Sequence, residues 1–140
     1  MYNEFRSTHD FSPYKESLLA LSPKVKYTFG IWDFRLTATD FCQVLETFAG
    51  VKHLDLYRNK FINFDTEEIK LDKDKEYSIE GIDLRWTQGL SAKNIIKLVK
   101  ALSENESLVN SLQYVWINGT RMSVPEMQLL FTKYNFTVTI

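Results

Sequence analysis

Apolar and polar residues alternate in a short stretch near the middle of the chain, VKHLDLYRNKF at residues 51–61. Apolar residues occupy positions 1, 4, 6 and 11 of this stretch. A side-chain period of two indicates a short strand in which Leu54 and Leu56 point to one side and their polar neighbours to the other. Asn59 follows, and its amide can both donate to and accept from the backbone of a sharp turn. The stretch therefore predicts a strand that ends in an Asn-bridged turn.

The same pattern occurs once before this stretch and twice after it. The first inward residues of the four predicted strands are Phe29, Leu54, Ile82 and Val115. Their spacings along the chain are 25, 28 and 33 residues. The turn position of Asn59 is Phe34 in the first stretch. It is Thr87 and Thr120 in the last two, so the turn chemistry is weaker there.

Amphipathic helices are predicted after three of the four strands. Thr37, Ser91 and Ser123 are the predicted N-caps, because their side chains can accept hydrogen bonds from free backbone N–H groups. Gly50 is the predicted C-cap of the first helix. Apolar residues recur at i, i+3, i+4 and i+7, which is typical of one buried helix face. They are Phe41, Val44, Leu45 and Phe48, then Ile95, Leu98, Val99 and Leu102, and then Met127, Leu130, Phe131 and Tyr134.

Two segments depart from this regular order. Residues 65–76 carry a charged run, which predicts a solvated loop with a single helical turn rather than a full helix. The third stretch delays its last apolar residue, Leu90, by one position, and Gly89 would tolerate the extra residue.

The two ends of the chain need separate interpretations. Residues 1–24 contain Pro13, Pro23 and a short helical run around Leu18. This segment is either an N-terminal cap over the first strand or a partly flexible tail. Residues 136–140 alternate apolar and polar, which predicts a C-terminal strand at the edge of the sheet. An uncovered apolar edge either pairs with a partner chain or is protected by its own side chains.

The recurring strand, turn, cap and helix resembles the ribonuclease-inhibitor-like class of leucine-rich repeats, whose template is L-x-x-L-x-L-x-x-N-x-L. The resemblance covers residues 25–140 in about four irregular repeats. It implies an α/β fold, a short right-handed solenoid with parallel strands on the concave face and helices on the convex face. Stacking of neighbouring units would bury the apolar face that each unit exposes alone.

Composition narrows the classes of function. The chain has 140 residues and a net charge of −1, so it has no electrostatic attraction to nucleic acid or anionic membranes. No apolar run reaches the roughly 20 residues of a membrane span, and the first residues lack a secretory signal. The single Cys42 cannot form an internal disulfide, which suits a reducing compartment. We expect an intracellular, cytoplasmic protein without nucleic-acid binding or membrane insertion, and an organellar matrix stays open.

The strand residues that point away from the core form the candidate site. This surface combines Trp, Tyr and Arg, the residue types enriched at protein-binding hot spots. Its residues are Trp32, His53, Asp55, Tyr57, Arg58, Asp83, Arg85, Trp86, Tyr114 and Trp116. We expect a non-catalytic protein-interaction module, an adaptor or a structural subunit of a larger assembly, that binds through this face or the C-terminal edge strand. The other interpretation of the aromatic residues is sideways packing along the strand ladder.

A second class of function is a small α/β enzyme or regulatory domain. His53, Asp55 and Asp83 are the one plausible acid–base group, since a His beside carboxylates titrates near neutral pH. No nucleophile elbow, phosphate loop, ordered triad or zinc spacing accompanies them, and residues 65–74 lack the Gly of a calcium loop. We therefore predict no catalytic residue, no metal and no cofactor.

Overall fold

The computed structural model describes residues 9–117 and the two positions 129 and 132. The chain is α/β, with parallel strands in two sheets and with helices. The predicted cap at Ser123, the helix with apolar residues 127–134 and the edge strand 136–140 lie outside the described residues.

The described part of the chain contains short strands and four α-helices. The strands are β1 (His9–Asp10), β2 (Thr28–Gly30), β3 (Phe34–Thr37), β4 (His53–Asp55), β5 (Lys60–Ile62), β6 (Gly81–Asp83) and β7 (Tyr114–Trp116). The α-helices are α1 (Ser12–Leu19), α2 (Ala38–Thr47), α3 (Ala92–Ser103) and α4 (Glu106–Ser111), and a 3-10 turn covers Ser22–Lys24.

The larger sheet aligns the four predicted strands. Strands β2, β4, β6 and β7 lie side by side and parallel in that order. The predicted inward residues face one another across the strands and are all buried, which confirms their alignment. They are Phe29, Leu54, Ile82 and Val115. A second buried row follows two residues later, at Ile31, Leu56, Leu84 and Ile117.

A sharp turn follows each of the strands β2, β4 and β6. Asp33, Arg58 and Trp86 occupy the equivalent turn position, and their φ angles are 63°, 63° and 57°. This left-handed conformation is unfavourable for residues other than Gly, Asn and Asp. Backbone hydrogen bonds join the turns, because Asp33 N–H donates to the Arg58 carbonyl at 3.1 Å and Arg58 N–H donates to the Arg85 carbonyl at 3.1 Å.

The predicted amide bridge at Asn59 is confirmed. Its side chain is fully buried, and Nδ2 donates to the carbonyls of Leu56 at 2.8 Å and Ile31 at 2.9 Å. Its Oδ1 accepts from the backbone N–H of Phe34 at 2.9 Å. One amide therefore holds its own turn and the preceding turn together. Thr87 makes a reduced version of this bridge, because its hydroxyl donates only to the Leu84 carbonyl, at 2.9 Å.

After the turns, the chain enters a second parallel sheet that the sequence pattern did not predict. This sheet has the order β1-β3-β5. Leu36 of β3 faces Phe61 of β5, and both are buried. Gly89 passes close to this sheet with φ +84°, and a Cβ atom there would lie 1.9 Å from the Phe61 carbonyl oxygen. Glycine is required at this position, in agreement with the prediction that Gly89 accommodates the extra residue.

The helices begin where the sequence predicts them. Thr37 caps α2 and forms a reciprocal capping box with Asp40, and Ser91 caps α3 by accepting from Asn94 N–H. The predicted apolar faces of both helices are buried. The prediction of Gly50 as C-cap is wrong, because α2 ends at Thr47 and residues 48–50 continue as a turn.

A loop and a short helix replace a regular helix after the second strand. Residues 63–80 contain neither helix nor strand, in agreement with the loop predicted at 65–76. Asn105, 1% exposed, anchors the loop, since its Nδ2 lies 3.1 Å from the Asp72 carbonyl and 2.9 Å from the Lys75 carbonyl. Its Oδ1 accepts from Leu108 N–H at 2.9 Å and caps α4. The six residues of α4 are too few to give a readable helical period.

The described part of the N-terminal segment packs on the rest of the chain. The short helix predicted there corresponds to α1, with Pro13 in its first turn. Phe11 just before it is 2% exposed and contacts the Phe34 ring edge-on, 5.8 Å between ring centroids. A single buried aromatic residue in a polar segment has no periodicity, so the sequence pattern missed it.

Candidate functional site

The candidate site lies on the side of the larger sheet that points away from the buried rows. Two predicted rows run across the strands: Thr28, His53, Gly81 and Tyr114, and Gly30, Asp55, Asp83 and Trp116. Trp32, Tyr57 and Arg85 follow the strands and contact these rows or each other. We call the surface formed by these residues the aromatic face.

Tyr114 lies across a glycine. A Cβ atom on its strand neighbour Gly81 would fall 2.0 Å from Cζ of the Tyr114 ring. The ring therefore crosses strand β6, and its hydroxyl lies 2.5 Å from Nδ1 of His53 on β4. Burial raises the pKa of the Tyr114 hydroxyl, and the nearby Asp83 carboxylate raises it further. Tyr114 thus links three strands across one face of the sheet.

Trp116 continues this contact in the opposite direction. Its ring stacks on Tyr114 with 4.9 Å between centroids, and the Arg85 guanidinium carbon lies 4.3 Å from its centroid. A cation–π contact of this kind contributes about 0.5–1 kcal/mol near the surface. The prediction that Trp116 is exposed is wrong, because the two neighbouring side chains leave it only half-exposed.

Asp83 is buried although the sequence pattern placed it in an exposed row; its exposure is 8%. The guanidinium of Arg85 covers it. Arg85 Nε lies 3.0 Å and 3.2 Å from the two carboxylate oxygens, and Nη2 lies 2.7 Å from Oδ2. This two-pronged pairing is the strong form of a charge-assisted hydrogen bond. The Asp83 carboxylate in turn raises the pKa of Arg85.

Asp55 lies beside Asp83 in the next strand but has a different environment. Burial raises the pKa of Asp55, and the charge of Asp83 raises it further. Hydrogen bonds from Tyr57 N–H, 3.3 Å from Oδ1, and from the Trp32 indole act in the opposite direction. Among residues 9–117, no Lys or Arg side chain forms an ion pair with Asp55.

Trp32 and Tyr57 form the exposed end of the aromatic face. Their rings meet edge-on with 5.7 Å between centroids. Trp32 is 51% exposed, as predicted. Its Nε1 would lie 3.6 Å from a Cβ atom on Gly30, so the indole lies above that glycine and beside Asp55. This end of the face leaves a large apolar ring in contact with solvent.

The remaining predicted site residues lie along the turns. Arg58 Nη2 lies 3.4 Å from Oδ1 of Asp33 in the neighbouring turn. Trp86 is 56% exposed and occupies the left-handed position of its own turn. The turns therefore place Arg58 and Trp86 along the edge of the aromatic face rather than within its rows.

The proposed acid–base group does not assemble around His53. Its ring nitrogen Nδ1 meets the hydroxyl of Tyr114, and within the described residues it makes no hydrogen bond to a carboxylate. Asp83 is already paired with Arg85. Burial raises the pKa of the Cys42 thiol, which favours the unreactive protonated form.

Other classes of site were searched in the same part of the chain. Residues 9–117 hold no group of three or more His, Cys, Asp or Glu side chains that could ligate a metal ion. None of the described helices is long and apolar enough to cross a membrane.

Two contributors to the face were not predicted as site residues. Tyr27 is 69% exposed and its ring lies 5.8 Å from the His53 ring, which extends the aromatic surface beyond β2. Gly81 leaves the space that Tyr114 occupies. A glycine at a strand position opposite a large aromatic residue is the signal that identifies it, but this signal needs the strand register.

The chain was compared with known proteins in three ways. No protein-family model matches it, and neither the curated proteins nor the solved structures give a match. The functional argument therefore depends on the geometry of the aromatic face.

Proposed function

We propose that this chain is a short leucine-rich-repeat solenoid that works without catalysis, as an adaptor or subunit, and binds a protein partner through the aromatic face as its concave surface. One observation carries this proposal. Aromatic rings are arranged in a continuous series on one face, and part of that series is left exposed. Tyr27, His53, Tyr114 and Trp116 form one line, and Trp32 with Tyr57 extends the surface beside it.

The turn geometry supports the repeat assignment. Each strand from β2 to β6 is followed by a left-handed residue at the same position of the turn. The Asn59 amide joins two neighbouring turns, and Thr87 provides a partial substitute in the next turn. Units that share such bridges bury their apolar faces only by stacking on one another, which is the physical basis of a solenoid.

The energetics of the exposed tryptophans support a binding role. Trp86 is 56% exposed in a left-handed conformation, which costs roughly 1–2 kcal/mol for a residue with a Cβ atom. Trp32 is 51% exposed although burial of an aromatic ring is favourable. Neither arrangement benefits the isolated fold. Both are explained if the rings are buried against a partner, as tryptophans at hot spots are.

Capture of partners from the native cell extract tests this proposal. The wild-type chain, Trp32→Ala and Ile96→Ala are immobilised, and the bound proteins are quantified by mass spectrometry. Ile96 is a matched control because it is 44% exposed, apolar and on α3. We expect Trp32→Ala to reduce capture of the partner by about tenfold or more, since hot-spot truncations cost about 2 kcal/mol or more.

Ile96→Ala is expected to capture the same partner as the wild-type chain. Circular dichroism and thermal melts check that both variants are folded. Equal capture by Trp32→Ala and the wild-type chain, or loss only in Ile96→Ala, would contradict the proposal that the aromatic face is the binding surface.

A further inference from the structure

We infer that Asp55, together with the rings of Trp32 and Tyr57, is the place on the aromatic face that receives an arginine side chain of the protein partner. This inference rests on the proposed function and specifies the chemistry of the partner. It follows from a comparison within the chain itself.

The chain contains an internal model of the occupied site at Asp83. Arg85, two residues further along the same strand direction, places its guanidinium on both oxygens of Asp83. The same guanidinium lies 4.3 Å from the ring centroid of Trp116. A carboxylate, an indole ring and a guanidinium thus form one group. A planar guanidinium suits both contacts, because it pairs bidentately with carboxylates and stacks on aromatic rings.

The site around Asp55 has the first two components of this group and lacks the third. Asp55 faces Asp83 in register, and the Trp32 indole lies beside it. The residue two positions after Asp55 is Tyr57 instead of an arginine. Tyr57 offers its backbone N–H to the carboxylate and its ring to Trp32, but no positive charge.

The charge balance of the face identifies the occupant as a cation. Asp83 is paired with Arg85, Asp33 with Arg58, and Glu80 with Lys52. Asp55 is the described carboxylate of the face that no basic side chain pairs with, and it also faces the charge of Asp83. A partner's guanidinium would neutralise it and stack on an exposed ring, which gains more when water is excluded.

A metal ion and a lysine are the competing occupants. The described residues near Asp55 offer no set of three metal-ligating side chains. A lysine ammonium supplies charge but not the planar fork that Arg85 uses at Asp83. Arginine is therefore the occupant that reproduces the contacts already present at the neighbouring carboxylate.

The test is a titration of the ¹⁵N-labelled protein, followed by NMR, with N-acetyl-arginine methylamide. The matched probes are the citrulline analogue, which has the same shape without charge, and the lysine analogue. We expect the arginine probe to shift the Trp32 indole N–H and the Tyr57 amide, with binding about tenfold tighter than citrulline. The Asp55→Asn variant is expected to lose this difference, while Asp74→Asn, an exposed loop carboxylate, keeps it.

Equal responses to arginine and citrulline, an arginine response unchanged in Asp55→Asn, or tighter binding of the lysine probe would each overturn the inference. Because these titrations use no natural partner, their failure is separate from failure of the proposed function. Partner capture that depends on Trp32 in the absence of any arginine response would leave the binding face intact and remove only the arginine assignment.

Discussion

Two carboxylates occupy equivalent places in neighbouring strands, yet their environments differ. Asp83 is buried and paired at two oxygens with Arg85, which also stacks on Trp116. Asp55 faces Asp83 directly, lies next to the exposed Trp32 and has no basic partner among the described residues. One substitution two residues downstream, arginine at one site and Tyr57 at the other, accounts for the difference.

This comparison separates structural from functional chemistry on the same face. The group around Asp83 is internally complete, so it stabilises the sheet and holds Trp116 in place. The group around Asp55 has a raised pKa, which means that the folded chain keeps a carboxylate charge at some cost to stability. A cost without a structural benefit is expected at a site that interacts with another molecule.

The largest expected effect is at the complete site. Arg85→Ala leaves Asp83 buried without its partner. Because the Arg85 side chain is 41% exposed and Asp83 11%, we expect a loss of about 2 kcal/mol in the free energy of unfolding, below the range for fully buried pairs. Urea denaturation measures this loss.

Arg35→Ala is the control for this variant. It removes an exposed pair with Asp10 and is expected to cost about 0.5 kcal/mol or less. Equal losses in the two variants would show that Arg85 has no special structural role.

The second effect concerns the support beneath Tyr114. Gly81→Ala places a methyl group where the Tyr114 ring lies, so the ring must move away from His53. We expect a loss of about 1–2 kcal/mol in the free energy of unfolding, typical of overpacking at a site that can partly relax. The ring proton shifts of Tyr114 and His53 should change in the NMR spectrum.

Gly50→Ala is the matched control, since nothing lies within 4 Å of a Cβ atom there. It should keep both the stability and the ring shifts of the wild-type chain. Unchanged His53 and Tyr114 signals in Gly81→Ala would contradict the described stacking.

The third prediction converts the open site into a closed one. Tyr57→Arg places a guanidinium two residues after Asp55, as Arg85 is placed after Asp83. We expect a gain of about 0.5–1 kcal/mol in the free energy of unfolding, measured by urea denaturation, because an unpaired carboxylate acquires a charged partner. The partner and the arginine probe should both bind less well, since the site is already occupied. Tyr57→Phe keeps the ring without adding charge, and its binding should stay close to that of the wild-type chain.

The smallest effect is expected for Asp55→Asn. The pKa of Asp55 is raised in the folded chain, so its ionised form destabilises the fold above that pKa, and this penalty disappears as the pH falls through it. Asparagine keeps an acceptor for Tyr57 N–H without the charge. At pH 7 we expect the variant to equal or exceed the wild-type stability by up to about 1 kcal/mol.

This difference should shrink toward zero at acidic pH, when Asp55 of the wild-type chain is protonated. Thermal melts across the pH range measure it. A variant that is clearly less stable than the wild-type chain at pH 7 would contradict the interpretation of Asp55 as a strained, open site.

The sequence predicted the parts of the fold that depend on local periodicity. The inward residues from Phe29 to Val115 are spaced so that their strands align, and Asn59 was recognised as a turn bridge because its amide has both a donor and an acceptor. The helix starts at Thr37 and Ser91 followed from side-chain capping chemistry. Each of these signals lies within a few residues of the structure that it specifies.

The parts that the sequence did not predict depend on contacts between distant residues. The burial of Asp83 requires the rotamer of Arg85 and the ring of Trp116, which is 33 residues further along the chain. The fit of Tyr114 over Gly81 requires the strand register. Asn105 was not predicted as an anchor of the loop at 63–80, because its carbonyl partners lie about 30 residues earlier in an irregular segment.

A photo-crosslinking measurement at the exposed end of the aromatic face tests the central claim most directly. Trp32 is replaced by p-benzoylphenylalanine in the intact chain, and the same replacement is made at Ile96 on α3 as the control. In living cells, we predict a single strong crosslinked species at position 32, of defined mass, that weakens in the Asp55→Asn background and is missing at position 96. Crosslinks of equal yield at both positions, or none at position 32, would contradict the claim that the aromatic face binds a protein partner.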